Sequence, residues 1–376
     1  MDEKEQYKPL SEAESKGPNA DPRTPHSALR TPHSELILGT DDTFLEHDPG
    51  EGHVESRARL ETLYDFLRTY ERRDRFRHQH PREATGEDLR LVHTARLLKQ
   101  VEQTAGQSHR YLDPDTVTSA RSHEAARRAV GAVLESVDRV FAGDARRAFD
   151  FLRPPGHHAE PDRAMGFCLF NNVAVGAAYA RRRYGLSRVL LVDFDVHHGN
   201  GTQEAFYETP EVLYVSTHQY PFYPGTGARE ETGRGKGAGY TLNFPLPAGT
   251  GDAVYARIFQ EILDPVADQY RPELVIVSAG FDPYFADPLA NMRVTPAGFQ
   301  FMARRLNGIA GRHAGGRILF ALEGGYSLQG LRESVGAVVD ELVGEGPAQE
   351  PAFATDERSN ALVQWCKQSA SAFWKL

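Results

Sequence analysis

Asp193, Asp195 and His197 stand two residues apart in the run Asp193-Phe194-Asp195-Val196-His197-His198-Gly199-Asn200-Gly201. Side chains alternate along an extended backbone, so this spacing predicts two carboxylates and an imidazole on one side, with Phe194 and Val196 on the other. Like charges that close are costly without a cation, and His with Asp oxygens suits zinc or another divalent transition metal. Asp282, in Gly280-Phe281-Asp282, would complete a three-ligand set that leaves one position for water or substrate. A blander reading has these aspartates merely capping helices after their strands, but it does not explain why so many strand ends carry ligand-type groups. His157-His158 follow Pro154-Pro155-Gly156, a rigid turn that would fix their direction. Two adjacent imidazoles with different partners titrate differently, so one can stay neutral as a base. Gly324-Gly325 lets the backbone turn tightly and present Tyr326, whose hydroxyl could stabilise an oxyanion.

These groups need a frame that brings distant segments together. Residues 148–152, 189–194, 274–278 and 318–322 read as short buried strands ending at Gly, Pro or Asp. Helical spacing separates them, at Leu60, Leu63, Tyr64 and Leu67 and again across residues 125–140, which implies a parallel sheet. A polar cluster follows each strand, and in open α/β sheets the crevice lies at the carboxyl ends of the strands. The four clusters are therefore expected to converge.

Composition sets the outer bounds. With 376 residues, 40% hydrophobic and 25% charged, the chain suits one large α/β catalytic domain, expected over residues 35–345. Residues 1–34 are rich in Pro, Ser, Glu and Lys, repeat Thr24-Pro25-His26-Ser27 as Thr31-Pro32-His33-Ser34, and read as a flexible arm. Residues 346–376 read as a helical C-terminal extension. A net charge of -9 argues against direct nucleic-acid binding. No apolar run reaches membrane-spanning length, and the start Met1-Asp2-Glu3-Lys4-Glu5-Gln6 is unlike a secretory signal. Two cysteines, Cys168 and Cys366, make no disulfide framework, so a cytoplasmic setting is expected. A homo-oligomer is left open.

Taken together, Arg153-Pro154-Pro155-Gly156-His157-His158-Ala159-Glu160, Gly166-Phe167-Cys168, residues 193–202, Ser278-Ala279-Gly280-Phe281-Asp282 and Glu323-Gly324-Gly325-Tyr326 resemble the signature runs of histone deacetylases, class II enzymes and their bacterial relatives above all. The resemblance runs from about Leu45 to about Val343 in the family's order. It implies the three-layer α/β/α arginase/deacetylase fold around a mainly parallel eight-stranded sheet, and a zinc-dependent amidohydrolase acting on acyl-lysine or a small acylated amine. It matches Asp195, His197 and Asp282 to the zinc ligands, His157 and His158 to the tandem histidines, and Tyr326 to the catalytic tyrosine. Asp193 and Asn200 match the partners of His157 and His158, with Asn at the second place a class II trait. Phe167 and Tyr223 match the aromatic walls of the acyl-lysine tunnel, where the family more often has Phe in place of Tyr223. Structural potassium is implied too, one site at Asp193, Asp195, His197, Ser216 and Thr217, another at Phe206, Thr209, Val212 and Tyr240. Leu289 stands where a polyamine-selective relative has an acidic gatekeeper, which favours acyl-lysine over acetylpolyamine, and Pro283-Tyr284-Phe285 is bulkier than the family's usual stretch. Two other readings stay in play. An arginase-like hydrolase would need further Asp and His ligands for a binuclear cluster and lacks Gly-Gly-Tyr, and a non-catalytic binder of acetylated ligands would be expected to have lost a ligand or the tyrosine.

Overall fold

Strands buried on both faces of a parallel sheet favour unbroken apolar runs, and residues 189–192, 274–277 and 318–322 are such runs. The computed structural model describes residues 36–376; the expected arm, residues 1–34, lies outside them. In chain order the strands are β1 (Leu36–Gly39), β2 (Phe76–Gln79), β3 (Arg110–Tyr111), β4 (Val117–Thr118), β5 (Arg147–Asp150), β6 (Val189–Asp193), β7 (Val212–Gln219), β8 (Thr241–Leu246), β9 (Leu274–Ala279) and β10 (Ile318–Leu322). β3 and β4 form a small antiparallel hairpin. The other eight make one sheet in the order β2-β1-β5-β10-β9-β6-β7-β8, and every neighbouring pair is parallel.

The helices are α1 (Ala58–Thr69), α2 (Gly86–Leu89), α3 (Ala95–Glu102), α4 (Ser122–Ala142), α5 (Asn172–Tyr184), α6 (Asn200–Phe206), α7 (Asp252–Ile258), α8 (Asp264–Tyr270), α9 (Pro296–His313), α10 (Leu328–Leu342) and α11 (Glu357–Ala370). α4 and α5 pack together over β1, β5, β10, β6 and β9, while α9 packs on β9 and β10 and against α10 and α7. The result is the expected three-layer α/β/α fold, its sheet wholly parallel. α4 and α5 stop where Gly143 (φ 80°) and Gly185 (φ 67°) take the left-handed conformation that ends a helix. Beyond the sheet, α11 packs on α7 and β8. No helix among the described residues is long and apolar enough to cross a membrane.

The four strands read from sequence, β5, β10, β9 and β6, are the contiguous centre of the sheet. Their carboxyl ends lie side by side, which is why the four polar clusters converge. One expectation is corrected. β6 ends at Asp193, and residues 195–197 bend rather than run extended. The Asp193 carboxylate accepts Asp195 N (3.2 Å) and the Asp195 carboxylate accepts His197 N (2.9 Å), two successive Asx-type bonds that curl the segment. The bend, not a strand zigzag, brings Asp195 and His197 together.

Candidate active site

The curl after β6 aims His197 Nδ1 at two carboxylates, 3.0 Å from Asp195 Oδ1 and 3.3 Å from Asp282 Oδ2. One ligand atom from each of the three residues lies within 4.8 Å of the others, and all three side chains are buried. Asp195 Oδ2 accepts Gly324 N (2.8 Å), and Asp282 Oδ1 accepts Val196 N (2.8 Å). Asp282 Oδ2 makes no hydrogen bond. A buried oxygen of that kind is costly unless a cation takes it up. A divalent cation fits here: two carboxylates and one imidazole converge, and one oxygen is otherwise unused. Burial and the Asp195 charge push the Asp282 carboxyl up to about 7 without a cation. Two glycines allow the approach. A Cβ on Gly280 would sit 2.0 Å from Asp195 Oδ2, and one on Gly324 2.2 Å from Asp282 Oδ2.

The tandem histidines follow β5. Glu323, just past β10, accepts Gly156 N (2.6 Å) and His157 N (3.2 Å) on Oε2, and Ser278 Oγ (3.1 Å) on Oε1. That ties the histidine turn to the two neighbouring strand ends. The imidazoles lie 4.0 Å apart between centroids, tilted by 44°, but have unlike partners. His157 Nδ1 is 3.0 Å from Asp193 Oδ2, which also accepts the Tyr214 hydroxyl (3.2 Å). Burial lowers the His157 pKa, but the Asp193 and Asp195 carboxylates outweigh it and hold the ring up at about 10. His158 Nδ1 is 2.8 Å from Asn200 Oδ1. Burial and the neighbouring His157 charge drive the His158 pKa well below the usual imidazole value. Their unlike partners thus push the two rings in opposite directions, His157 toward the cation and His158 toward the neutral imidazole.

Tyr326 follows Gly325, whose φ of 114° only glycine adopts readily. Its backbone N donates to Asp287 Oδ2 (2.7 Å), which also accepts Ser327 N (3.1 Å), while Asp287 Oδ1 holds Leu289 N (3.0 Å). The fully buried Arg59 donates to Gly325 O (2.7 Å) and Glu323 O (2.5 Å), with its guanidinium 5.1 Å from the Tyr326 ring centroid. Arg59 and Arg153 share the buried Glu55. Phe167 meets the Tyr326 ring edge-on at 6.1 Å, and Tyr223 meets His158 at 5.1 Å and His197 at 6.0 Å. Ser216 pairs with Asp193 across β6 and β7, and Thr217 carries a buried hydroxyl without a hydrogen bond. Phe206, Thr209 and Val212 lie along the passage from α6 into β7, and Tyr240 O accepts Tyr214 N (2.9 Å). Arg59, Glu55 and Asp287 went unread in the sequence, because their roles depend on partners up to 266 residues away. Glu55, four residues before Arg59 as an i,i+4 acid–base pair, was the one local hint.

Residues 53–342 match the histone deacetylase domain family. The chain belongs to that family. It is 39% identical over 328 residues to histone deacetylase 14, chloroplastic, of Arabidopsis thaliana, covering 82% of this chain and 78% of the relative. It is 40% identical over 297 residues to a histone deacetylase-like amidohydrolase of Pseudomonas aeruginosa, with 78% and 77% covered. The crystal structure of the HDA15 HD domain superposes with a TM-score of 0.85 at 38% identity, covering 91% of this chain and 95% of that one. As a histone deacetylase family member, the protein is a hydrolase of the deacetylase class, and Asp195, His197 and Asp282 form a candidate metal site within it.

Proposed function

We propose that the protein is a zinc-dependent hydrolase that removes acetyl or related acyl groups from acyl-lysine side chains or small acylated amines, with structural potassium at the two sites named above. The observation that carries this reading is the split between His157, paired with Asp193, and His158, paired with Asn200, beside a three-ligand cluster. Asp195, His197 and Asp282 would hold the cation, which when bound supplies Lewis acidity to the acyl carbonyl and to water. Asn200 Nδ2 donates to Glu160 Oε1 (2.7 Å), so Asn200 Oδ1 faces His158 and places the proton on His158 Nδ1. His158 Nε2 is then free to take a proton from the attacking water and pass it to the leaving amine nitrogen. His157 remains cationic and acts through its field. The Tyr326 hydroxyl donates to the carbonyl oxygen as negative charge grows there. Phe167 and Tyr223 would wall the passage for the acyl-lysine stem, and Leu289, standing where a polyamine-selective relative has an acidic gatekeeper, favours acyl-lysine over acetylpolyamine.

The test is a substrate panel on metal-assayed protein: acetyl-lysine peptide, trifluoroacetyl-lysine and acetylated polyamines. Turnover of the lysine substrates is expected. Asp195→Ala, His197→Ala and Asp282→Ala should each lose metal and turnover together, since three protein ligands leave no redundancy. Full metal occupancy in a folded variant would strike that residue from the ligand set, and a metal-loaded wild type inert toward the whole panel would leave a binder of acetylated ligands.

A further inference from the structure

Gly166 and Phe167 form the corner of a two-residue turn in which Met165 N reaches Cys168 O at 3.2 Å and Cys168 N reaches Met165 O at 3.0 Å. Both corner residues have positive φ, 57° and 67°. That is a type I′ turn, which favours glycine or asparagine at both places. Phe167 and Arg271 are the two non-glycine residues of positive φ among the described residues. A bulky ring does not stay in that conformation by its own preference, so something must hold it.

The tip of the β3–β4 hairpin does so. Asp113 Oδ1 accepts Asp115 N (3.0 Å) and Thr116 N (2.8 Å), which fixes the tip. Asp115 Oδ1 accepts Gly166 N (3.2 Å). The Thr116 hydroxyl accepts Phe167 N (3.1 Å) and donates to Asp115 Oδ1 (3.1 Å). Each amide of the strained corner thus has an acceptor on the tip, and the Thr116 hydroxyl links the two acceptors. Thr116 is fully buried. On the far side of the corner, the Phe167 ring meets His53 at 4.7 Å and Tyr326 at 6.1 Å, edge-on in both cases.

We propose that Thr116 is a positioning residue that sets acyl-chain selectivity. By pinning the Phe167 amide it fixes where the ring stands relative to Tyr326, and so the width left for the acyl-lysine stem and its acyl group. The proposal rests on the reading of Phe167 as a wall of that passage. Thr116 touches no reacting atom, so its influence belongs in KM and in the choice between acyl groups rather than in kcat.

Thr116→Val removes the acceptor and the donor together, whereas Thr116→Ser keeps both. For the valine variant we expect KM for an acetyl-lysine peptide to rise roughly fivefold, kcat to stay within about twofold, and the preference for acetyl over butyryl to fall roughly threefold or more. The serine variant should behave as wild type. In a Phe167→Ala background, Thr116→Val should add no further change in KM, because the two act through one element. Amide exchange at Phe167, which needs no turnover, should speed up roughly tenfold in the valine variant alone. Unchanged KM and selectivity in Thr116→Val, the same KM rise with and without the Phe167 ring, or unchanged exchange at Phe167 would each overturn the proposal. A metal-loaded wild type inert toward acetyl-lysine would strike the functional reading instead, while the exchange result would still show whether Thr116 holds the turn.

Discussion

Tyr326 brings one hydroxyl into a pocket of carboxylates, and burial together with the Asp282 charge keeps its pKa well above the ordinary tyrosine value. It therefore stays a donor across any working pH. Tyr326→Phe leaves the ring in place and deletes one oxyanion donor, so kcat should drop by roughly a hundredfold or more with metal retained and KM little changed. Steady-state kinetics beside a metal assay would check this, and an unchanged kcat would make Tyr326 a rim residue. The ligands themselves predict a pH effect on metal uptake. In the metal-free protein burial lowers the His197 pKa, but the hydrogen bond to Asp195 and the nearby Asp282 carboxylate outweigh it and raise it to about 9, while Asp282 is raised to about 7. Below about 7 a metal must displace protons from both groups, between about 7 and 9 from His197, and above 9 from neither, so affinity should climb with pH as proton release per metal falls. Titrating metal into weakly buffered protein reads both, and pH-independent release would refute the assignment. At this scale much was legible, since Asp195, His197, Asp282, His157, His158 and Tyr326 all sit in short local motifs. Arg59 was not, because nothing near it in sequence announces that it will reach Gly325 O.

Loops after strands carry the chemistry, and what holds those loops was the less legible part. Asp287 lies in an ordinary-looking Asp287-Pro288-Leu289 stretch, yet its two oxygens hold the backbone of Tyr326, Ser327 and Leu289 at once. α10 starts immediately afterwards, with the Ser327 side chain capping Gly330 N, so Tyr326 is caught between a helix cap and a carboxylate clamp. Asp287→Ala would leave those amides without their acceptor, at a cost of about 1–3 kcal/mol. Its midpoint in denaturant should fall accordingly, and kcat should drop with metal content intact; full activity with lowered stability would confine Asp287 to a structural role. The strands were read unevenly for a related reason. β6, β9 and β10 are mainly apolar runs and β5 leads into one at Phe149-Asp150-Phe151-Leu152, whereas β7 and β8 include Ser216, Thr217, His218, Asn243 and Pro245, polar or breaking residues that are buried by the tertiary fold.

Across the whole molecule, the chain extends past the family domain, which ends at 342, into α11. Val363, Cys366 and Ala370 of that helix are buried, and Trp374 Nε1 donates to Gly239 O (2.9 Å) just before β8. Removing residues 357–376 would uncover this side of the edge strand, so Tm should fall by roughly 5 °C or more while metal content holds. A melting curve as sharp and as high as that of the full chain would show that the helix adds nothing. The strand order has a separate consequence, for how the protein is made. β10 is last in sequence but sits between β5 and β9, and it alone joins the set β2-β1-β5 to the set β9-β6-β7-β8. Without residues 318–322 the two half-sheets share no strand pairing, with His157 and His158 on one and the metal ligands on the other. The three metal ligands share one half-sheet, so what waits for the last strand is their meeting with His157, His158 and Tyr326, and a complete pocket is a late product of folding.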